Sequence, residues 1–205
     1  MENSEVIKRL NEEIIQSISE ELSSVFDKIS LNILINKIVE QLAKFDENFF
    51  VDKFEITKGE NKDNERLLYV KGSFDQHNTS TASYYAFNTK GEYVGFVRAQ
   101  VRNLVPPTQV EMEYWTDKEH RNKGNTTVLA RDVIKEIFED RAFDGFKIRD
   151  RDGIPTSNIN SIMVAINADN YPSLAVARNL GFDVKGILCI DDYYKQIEER
   201  SSIKK

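Results

Sequence analysis

Glycine and proline are missing from the first 58 residues, and the whole 205-residue chain holds only nine glycines and four prolines. So long a stretch without either breaker excludes a turn-rich start and favours helix. Cysteine occurs once, at Cys189. No internal disulfide is available, and the chain reads as cytoplasmic. The two histidines, His77 and His120, stand 43 positions apart by their numbers and lack metal-ligand spacing. No apolar run nears the ~20 residues of a membrane span. The start, MENSEVIKRLNEEIIQ, carries early acids instead of the basic flank and apolar centre of a secretion signal. Neither a membrane nor a metal is expected. Asn78 and Asn125 head glycosylation-type triplets, which mean nothing without such a signal.

Hydrophobic residues make up 40% of the chain and charged ones 30%, enough for a core under a well-solvated surface. The net charge of −6 argues against a broad basic footprint for nucleic acid, and bases are interleaved with acids, as in KIRDRD at 147–152. An acidic surface favours a cationic acceptor such as an amine. Length alone allows one domain with an extension or two small domains.

Ile7, Leu10, Ile14, Ile18, Leu22, Val25, Phe26 and Ile29 recur at helical steps, and Ile33, Leu34, Ile38, Val39 and Leu42 continue the pattern. Two helices are expected, capped at Ser4 and Ser30 and ending near Lys44. They read as an amphipathic pair packed on the body of the protein or on a second copy, which is compatible with a homodimer. FFVDKFEIT, ERLLYVKGSF, ASYYAFNT and EYVGFVRAQV then form an antiparallel meander separated by polar turns such as KGENKDN and NTKG. VEMEYWT is a further strand after Pro106-Pro107, and a helix follows at about 126–140. A polar loop, DGFKIRDRDGIPTSN, leads to SIMVAIN, a short strand of the fully buried kind. YPSLAVARNL reads as a helix with proline in its first turn and Gly181 past its end. Phe182–Lys185 and Ile187–Tyr194 read as a closing strand pair, with Cys189 as a small core residue. Trp115 reads as core.

Between VEMEYWT and its helix lies RNKGNT. The first amides of a helix lack internal partners and carry partial positive charge, so a strand entering a helix through a glycine turn presents them to an anion. Gly124 permits close approach, and Arg121 and Lys123 add charge. Asn122 and Asn125 tolerate left-handed backbone, and Thr126 and Thr127 offer hydroxyls. Pyrophosphate is the best ligand guess. The P-loop pattern fails, because Glu119 and Asn125 stand where its first glycine and its lysine belong. The competing reading is a helix start that uses glycine and basic residues only for solvation.

The later stretch SIMVAINADNYPSLAVARNLGF (161–182) changes that balance. With Arg121-Asn-Lys-Gly124-Asn-Thr126, it resembles the GNAT superfamily of acetyl-CoA-dependent N-acetyltransferases over roughly residues 80–195. EMEYWTDKEHRNKG, and Asn170 with Ser173, look most like the branch that acetylates ribosomal-protein N-termini. The resemblance implies an α/β (α+β) fold: a mixed, mostly antiparallel sheet with a splayed parallel strand pair, Val110–Thr116 and Ile162–Ile166, and flanking helices. Residues 46–205 would form the acetyltransferase domain and residues 1–45 an N-terminal helical segment.

It also implies acetyl-CoA as co-substrate, a small-molecule or protein amine as acceptor, and direct transfer without a metal. Arg121, Asn122, Lys123, Gly124, Asn125, Thr126 and Thr127 would hold pyrophosphate. Tyr114, Trp115 and Thr116 would line the pantetheine arm, with Asn170 and Ser173 on its other side and a bulge near Trp115 or Thr116 for the oxyanion. Glu111 or Glu113, on one face of the strand, would serve as base, with the other a surface residue or paired with a lysine. The family's acidic tyrosine is replaced by Ala177, so either Ser173 substitutes, directly or through water, or the thiolate leaves unassisted; Thr126 stands where glycine or alanine is usual. Only a short loop at Ser73–Thr81 occupies a place where the family inserts two helices, so either the N-terminal helices take over the acceptor wall or the acceptor site is rebuilt. His120, Tyr193 and Tyr194 are further candidates to border the site or simply to pack.

Overall fold

Alternating apolar and polar residues from Phe50 to Thr116 build the expected meander. The computed structural model describes residues 22, 24, 26–45, 50–73, 81–102, 108–139 and 159–183. The first predicted helix lies mostly outside the described residues, as do the loop at 74–80, the polar loop before residue 159, and the closing strand pair with Cys189, Tyr193 and Tyr194. The chain divides into two units, Met1–Ala165 and Ile166–Lys205.

In the first unit, strands β1 (Phe50–Ile56), β2 (Leu68–Ser73), β3 (Thr81–Phe87), β4 (Tyr93–Val101), β5 (Thr108–Thr116) and β6 (Ile159–Met163) form one sheet in chain order. All neighbours are antiparallel except β5 and β6, which are parallel. The mixed, mostly antiparallel sheet with flanking helices is the predicted fold.

Helix α1 (Lys28–Phe45) covers one face. Its Leu31, Leu34, Ile35, Ile38, Val39 and Leu42 lie on one helical stripe, and they share a core with Phe54, Ile56, Leu68, Val70, Tyr85 and Phe87. The cap is Asp27, not Ser30. The Asp27 carboxylate accepts from the Ile29 and Ser30 amides at 3.1 and 3.0 Å, and the Ser30 hydroxyl donates back to it at 2.5 Å. An anion at a helix start gains from the dipole as well as from these bonds. They hold the Asp27 carboxyl below its ordinary range, the Ser30 hydroxyl most of all. Gly91, left-handed at φ 72°, closes the β3–β4 turn beneath α1. A Cβ there would meet Leu34 Cδ1 at 2.8 Å, so the turn and the helix approach demand the same residue.

Helix α2 (Asn125–Phe138) covers the opposite face through Val128, Leu129, Ala130, Val133 and Ile137. Beneath it the buried Glu136 accepts hydrogen bonds from Lys53 Nζ at 2.9 Å, Tyr69 OH at 3.1 Å and Tyr84 OH at 3.0 Å. Lys53 and Tyr69 also serve Glu55. A carboxylate this deep persists because several donors replace its lost water.

Strand β6 departs from expectation. It starts at Ile159 and ends at Met163, and Met163 is 37% exposed. Among the described residues β6 pairs with β5 alone, and with Met163 exposed it is not of the fully buried kind. In the second unit, α3 (Tyr171–Asn179) begins with Asn170 as its cap and Pro172 in its first turn, and Gly181 follows with φ 87°.

Candidate functional site

The RNKGNT turn folds as a left-handed nest that opens onto α2. Asn122 has φ 65° and Gly124 φ 82°. Gly124 is the helix N-cap and has no side chain to offer, so no side-chain cap is made. The first amide to find its intrahelical carbonyl is that of Val128, on Gly124 O at 3.1 Å. The amides of Asn125, Thr126 and Thr127 precede it, in the position that suits an anion. Asn125 is not left-handed, contrary to expectation. It is the first helical residue, 3% exposed, and its side chain turns inward: Nδ2 donates to His120 O at 3.0 Å and Oδ1 accepts from Asn61 Nδ2 at 2.7 Å.

The basic residues of the turn have partners. Lys123 Nζ pairs with Asp63 at 3.1 Å, and Arg121 Nε donates to Thr116 O at 3.3 Å. Lys123 is held above the ordinary lysine range, first by its hydrogen bond to Asp63 and then by that residue's charge. The Thr116 and Thr126 hydroxyls bond to each other, joining the end of β5 to the first turn of α2.

Strand β5 brings Glu111, Glu113 and Trp115 to the face that carries α1, while Tyr114 and Thr116 lie on the α2 face. Hydrogen bonds Arg102 N–Gln109 O and Asp117 N–Val94 O fix the phase of the β4–β5 ladder. Odd-numbered residues therefore bond towards β4, and the main-chain groups of Tyr114 and Thr116 face the β6 side. Pairing with β6 stops at Glu111–Met163, whereas β5 continues to Thr116. That is the separation expected of the parallel pair. Burial pushes the half-buried Tyr114 phenol up to about 12.

Two expectations fail here. No bulge in the β4–β5 ladder lies near Trp115 or Thr116, since the two strands pair without a register shift from Gly95–Thr116 to Val101–Val110. The reason is Gly95: a Cβ there would collide with the Trp115 carbonyl oxygen, and its absence lets β4 keep close contact to the end. The irregularity falls one strand away, at Ala86–Phe87 against Tyr93–Gly95. Trp115 is not core either. It is 42% exposed, stacked against Tyr93 at 6.0 Å and Phe96 at 6.5 Å between ring centroids, at the open end of an aromatic row that starts under α1.

Both candidate bases meet arginines, Arg98 of β4 and Arg102 just past its end, and among the described residues neither is seen paired with a lysine. Glu113 lies 2.9 Å from Arg98 Nη1, and Glu111 pairs with Arg102. In the second unit Asn170 Oδ1 accepts from Ser173 N at 3.3 Å, which caps α3, and Ala177 is buried. Among the described residues no three His, Cys, Asp or Glu side chains gather as a metal group, and no helix is long and apolar enough to cross a membrane.

Sequence reasoning missed the loop between β1 and β2. Asn61, Lys62 and Asp63 all touch the nest, through Asn125, the Lys123 carbonyl and the Lys123 ammonium. KGENKDN signalled a turn, and nothing local pointed to its partner.

The family described as Acetyltransferase (GNAT) domain matches residues 39–183. Similar solved structures include AAC(6')-Iy in complex with a bisubstrate analogue, CoA-S-monomethyl-acetylneamine (18% identity, 54% of this chain and 67% of that one, TM-score 0.41). An acetyltransferase assignment from Agrobacterium tumefaciens strain C58 shares 16% identity over 54% of this chain and 68% of that one, at TM-score 0.38. The Bacillus subtilis protein YycN shares 7% identity over 92% and 90%, at TM-score 0.41. No curated protein matches in sequence. The domain match spans the sheet, the nest and α3, and the chain belongs to the GNAT family of acetyltransferases.

Proposed function

We propose that the protein transfers an acetyl group from acetyl-CoA to a primary amine, and that the amine is a protein N-terminus. The observation that carries this reading is the uncapped start of α2 behind a left-handed glycine, with basic residues beside it. Those residues fit a pyrophosphate. The amides of Asn125, Thr126 and Thr127, with Arg121 and the nest at Asn122–Gly124, would hold it, and the β5 main chain at Tyr114–Thr116 would hold the pantetheine arm. When bound, acetyl-CoA supplies an activated thioester. By the family resemblance Asn170 and Ser173 would also belong to the cofactor set, with Ser173 standing in for the tyrosine that Ala177 replaces or the thiolate leaving unassisted.

A protonated amine cannot attack, so a base or a route to bulk water must take its proton. Glu111 is our choice, being the less exposed of the two glutamates; Glu113 stands two residues along the same face. Helix α1 and the Trp115 row flank that face and serve as the acceptor wall. Residues 1–45 then form the wall segment and residues 46–205 the acetyltransferase domain, in the cytoplasm. An N-terminal peptide as acceptor rests on the run EMEYWTDKEHRNKG.

Calorimetric titration with acetyl-CoA, beside Gly124→Glu, tests this. Micromolar binding by the wild type and none by the folded variant is the expected result, followed by thiol release with peptide amines. No binding by either protein would end the reading. The buried Ala177 favours a second one, a module that binds acyl-CoA without turnover. Tight binding with no thiol release from any amine would establish it.

A further inference from the structure

We infer that the β1–β2 loop is the second half of the anion cradle, and that Asn61 is a positioning residue which acts through Asn125. This rests on the reading of the nest as the pyrophosphate site. Three contacts join three successive loop residues to Lys123 and Asn125 of the turn. Asn61 Nδ2 donates to the buried Asn125 Oδ1 at 2.7 Å, Lys62 N donates to Lys123 O at 2.8 Å, and Asp63 pairs with Lys123 at 3.1 Å. The Lys62 stem lies along Gly124, with its Cγ 3.6 Å from where a Cβ would stand.

The loop is itself preorganised. Asn61 Oδ1 accepts from the Asp63 and Glu65 amides at 2.9 Å each, and Asn64 takes the left-handed turn at φ 60°. At the loop base, Thr57 Oγ1 accepts from Leu67 N at 2.9 Å. A single asparagine thus faces two ways: its oxygen folds the loop and its nitrogen holds the helix start. Asn125 in turn ties that start to His120 O. A left-handed nest holds its amides in line only while its backbone is pinned. Here the pin comes from about sixty residues upstream, by residue number.

The test is a double-mutant cycle on acetyl-CoA binding in the full chain. Asn61→Ala and Asn125→Ala should each weaken binding about tenfold. Because both remove the same contact, the double variant should also lose about tenfold, not a hundredfold. Val70→Ala, in β2 on the α1 face of the sheet, supplies a destabilised control whose affinity should stay at the wild-type value. Multiplying effects, or wild-type affinity in Asn61→Ala, would overturn the inference.

Amide hydrogen exchange on the wild type needs no variant to fold. Acetyl-CoA should slow exchange at residues 61–65 together with 125–127. Protection of the turn alone would overturn the inference and leave the pyrophosphate reading standing. If the wild type fails to bind acetyl-CoA, that reading falls and takes this one with it.

Discussion

The hydroxyls of Thr116 and Thr126 share a hydrogen bond that joins the last residue of β5 to the second residue of α2. This contact has a direct consequence for Thr126, which stands where the family resemblance implies glycine or alanine. Its hydroxyl serves the strand–helix junction, so only its amide is left for an anion. Thr126→Ala should lower stability by about 1 kcal/mol, or roughly 2–4 °C in a chain of this size. Acetyl-CoA affinity should change by less than about twofold. Melting curves and titration of the same preparation check both numbers, and a tenfold loss of affinity would return the hydroxyl to the ligand.

Glu111 and Glu113 occupy one face of β5, Glu113 beside Arg98 of β4 and Glu111 beside Arg102 just past that strand. If Glu111 is the base, Glu111→Gln should cut kcat about a hundredfold with little change in the KM for acetyl-CoA. Glu113→Gln should stay within several-fold of the wild type. Steady-state kinetics with any peptide amine that turns over would decide, and equal losses in the two variants would remove the distinction.

The network under α2 predicts an alkaline weakness. Burial, then the Glu136 charge, pushes the Tyr69 phenol far up. Lys53 is lowered by burial but raised more by Glu136 and Glu55, so its net shift is also upward. A group raised on folding contributes stability below its unfolded pKa and loses it as pH rises. The loss therefore begins near pH 10 for tyrosine and slightly above for lysine, at up to about 1.4 kcal/mol per pH unit for each group. Tyr69→Phe should be less stable at pH 7 by about 1–3 kcal/mol, because Glu55 and Glu136 both lose a donor. It should also show a shallower decline above about pH 10. Denaturant titrations at pH 7 to 11 provide the test, and parallel curves would refute the assignment to Tyr69.

A chain starting at residue 46 should fail to fold. It loses six apolar side chains of α1, from Leu31 to Leu42, that cover the sheet. At about 1.5–3 kcal/mol each, their burial exceeds a typical net stability of about 5–15 kcal/mol at its lower end. The expected result is loss of cooperative melting, read by circular dichroism. A sharp transition would mean that the sheet stands without its helix.

These outcomes mark what could be read in advance. β3, β4 and β5 were legible because every second residue is apolar and NTKG and Pro106-Pro107 mark the breaks between them. Gly124 was legible because it sits between a strand pattern and a helix pattern. Asp27 was passed over for Ser30, since both residue types cap and only the geometry shows which one accepts from the amides. Trp115 read as core because size and aromaticity favour burial, yet its strand end extends past the cover of α1. Asn61 was invisible. A buried amide–amide bond between residues 61 and 125 leaves no trace in periodicity, and each asparagine alone looks like turn chemistry.

The bond between Asn61 and Asn125 closes a loop of sixty-odd residues, with β2 to β5 inside it. Contacts this distant in sequence form late, after the intervening pairings have paid their closure entropy. The nest would therefore become competent only when β1 through β5 are in register, and a partly folded chain would offer the coenzyme no complete cradle. A ligand that favours only the finished state shifts the folding equilibrium towards it. On that view coenzyme supply would act as a chaperone for this protein, and starvation for it would shorten the protein's life before it slowed any reaction.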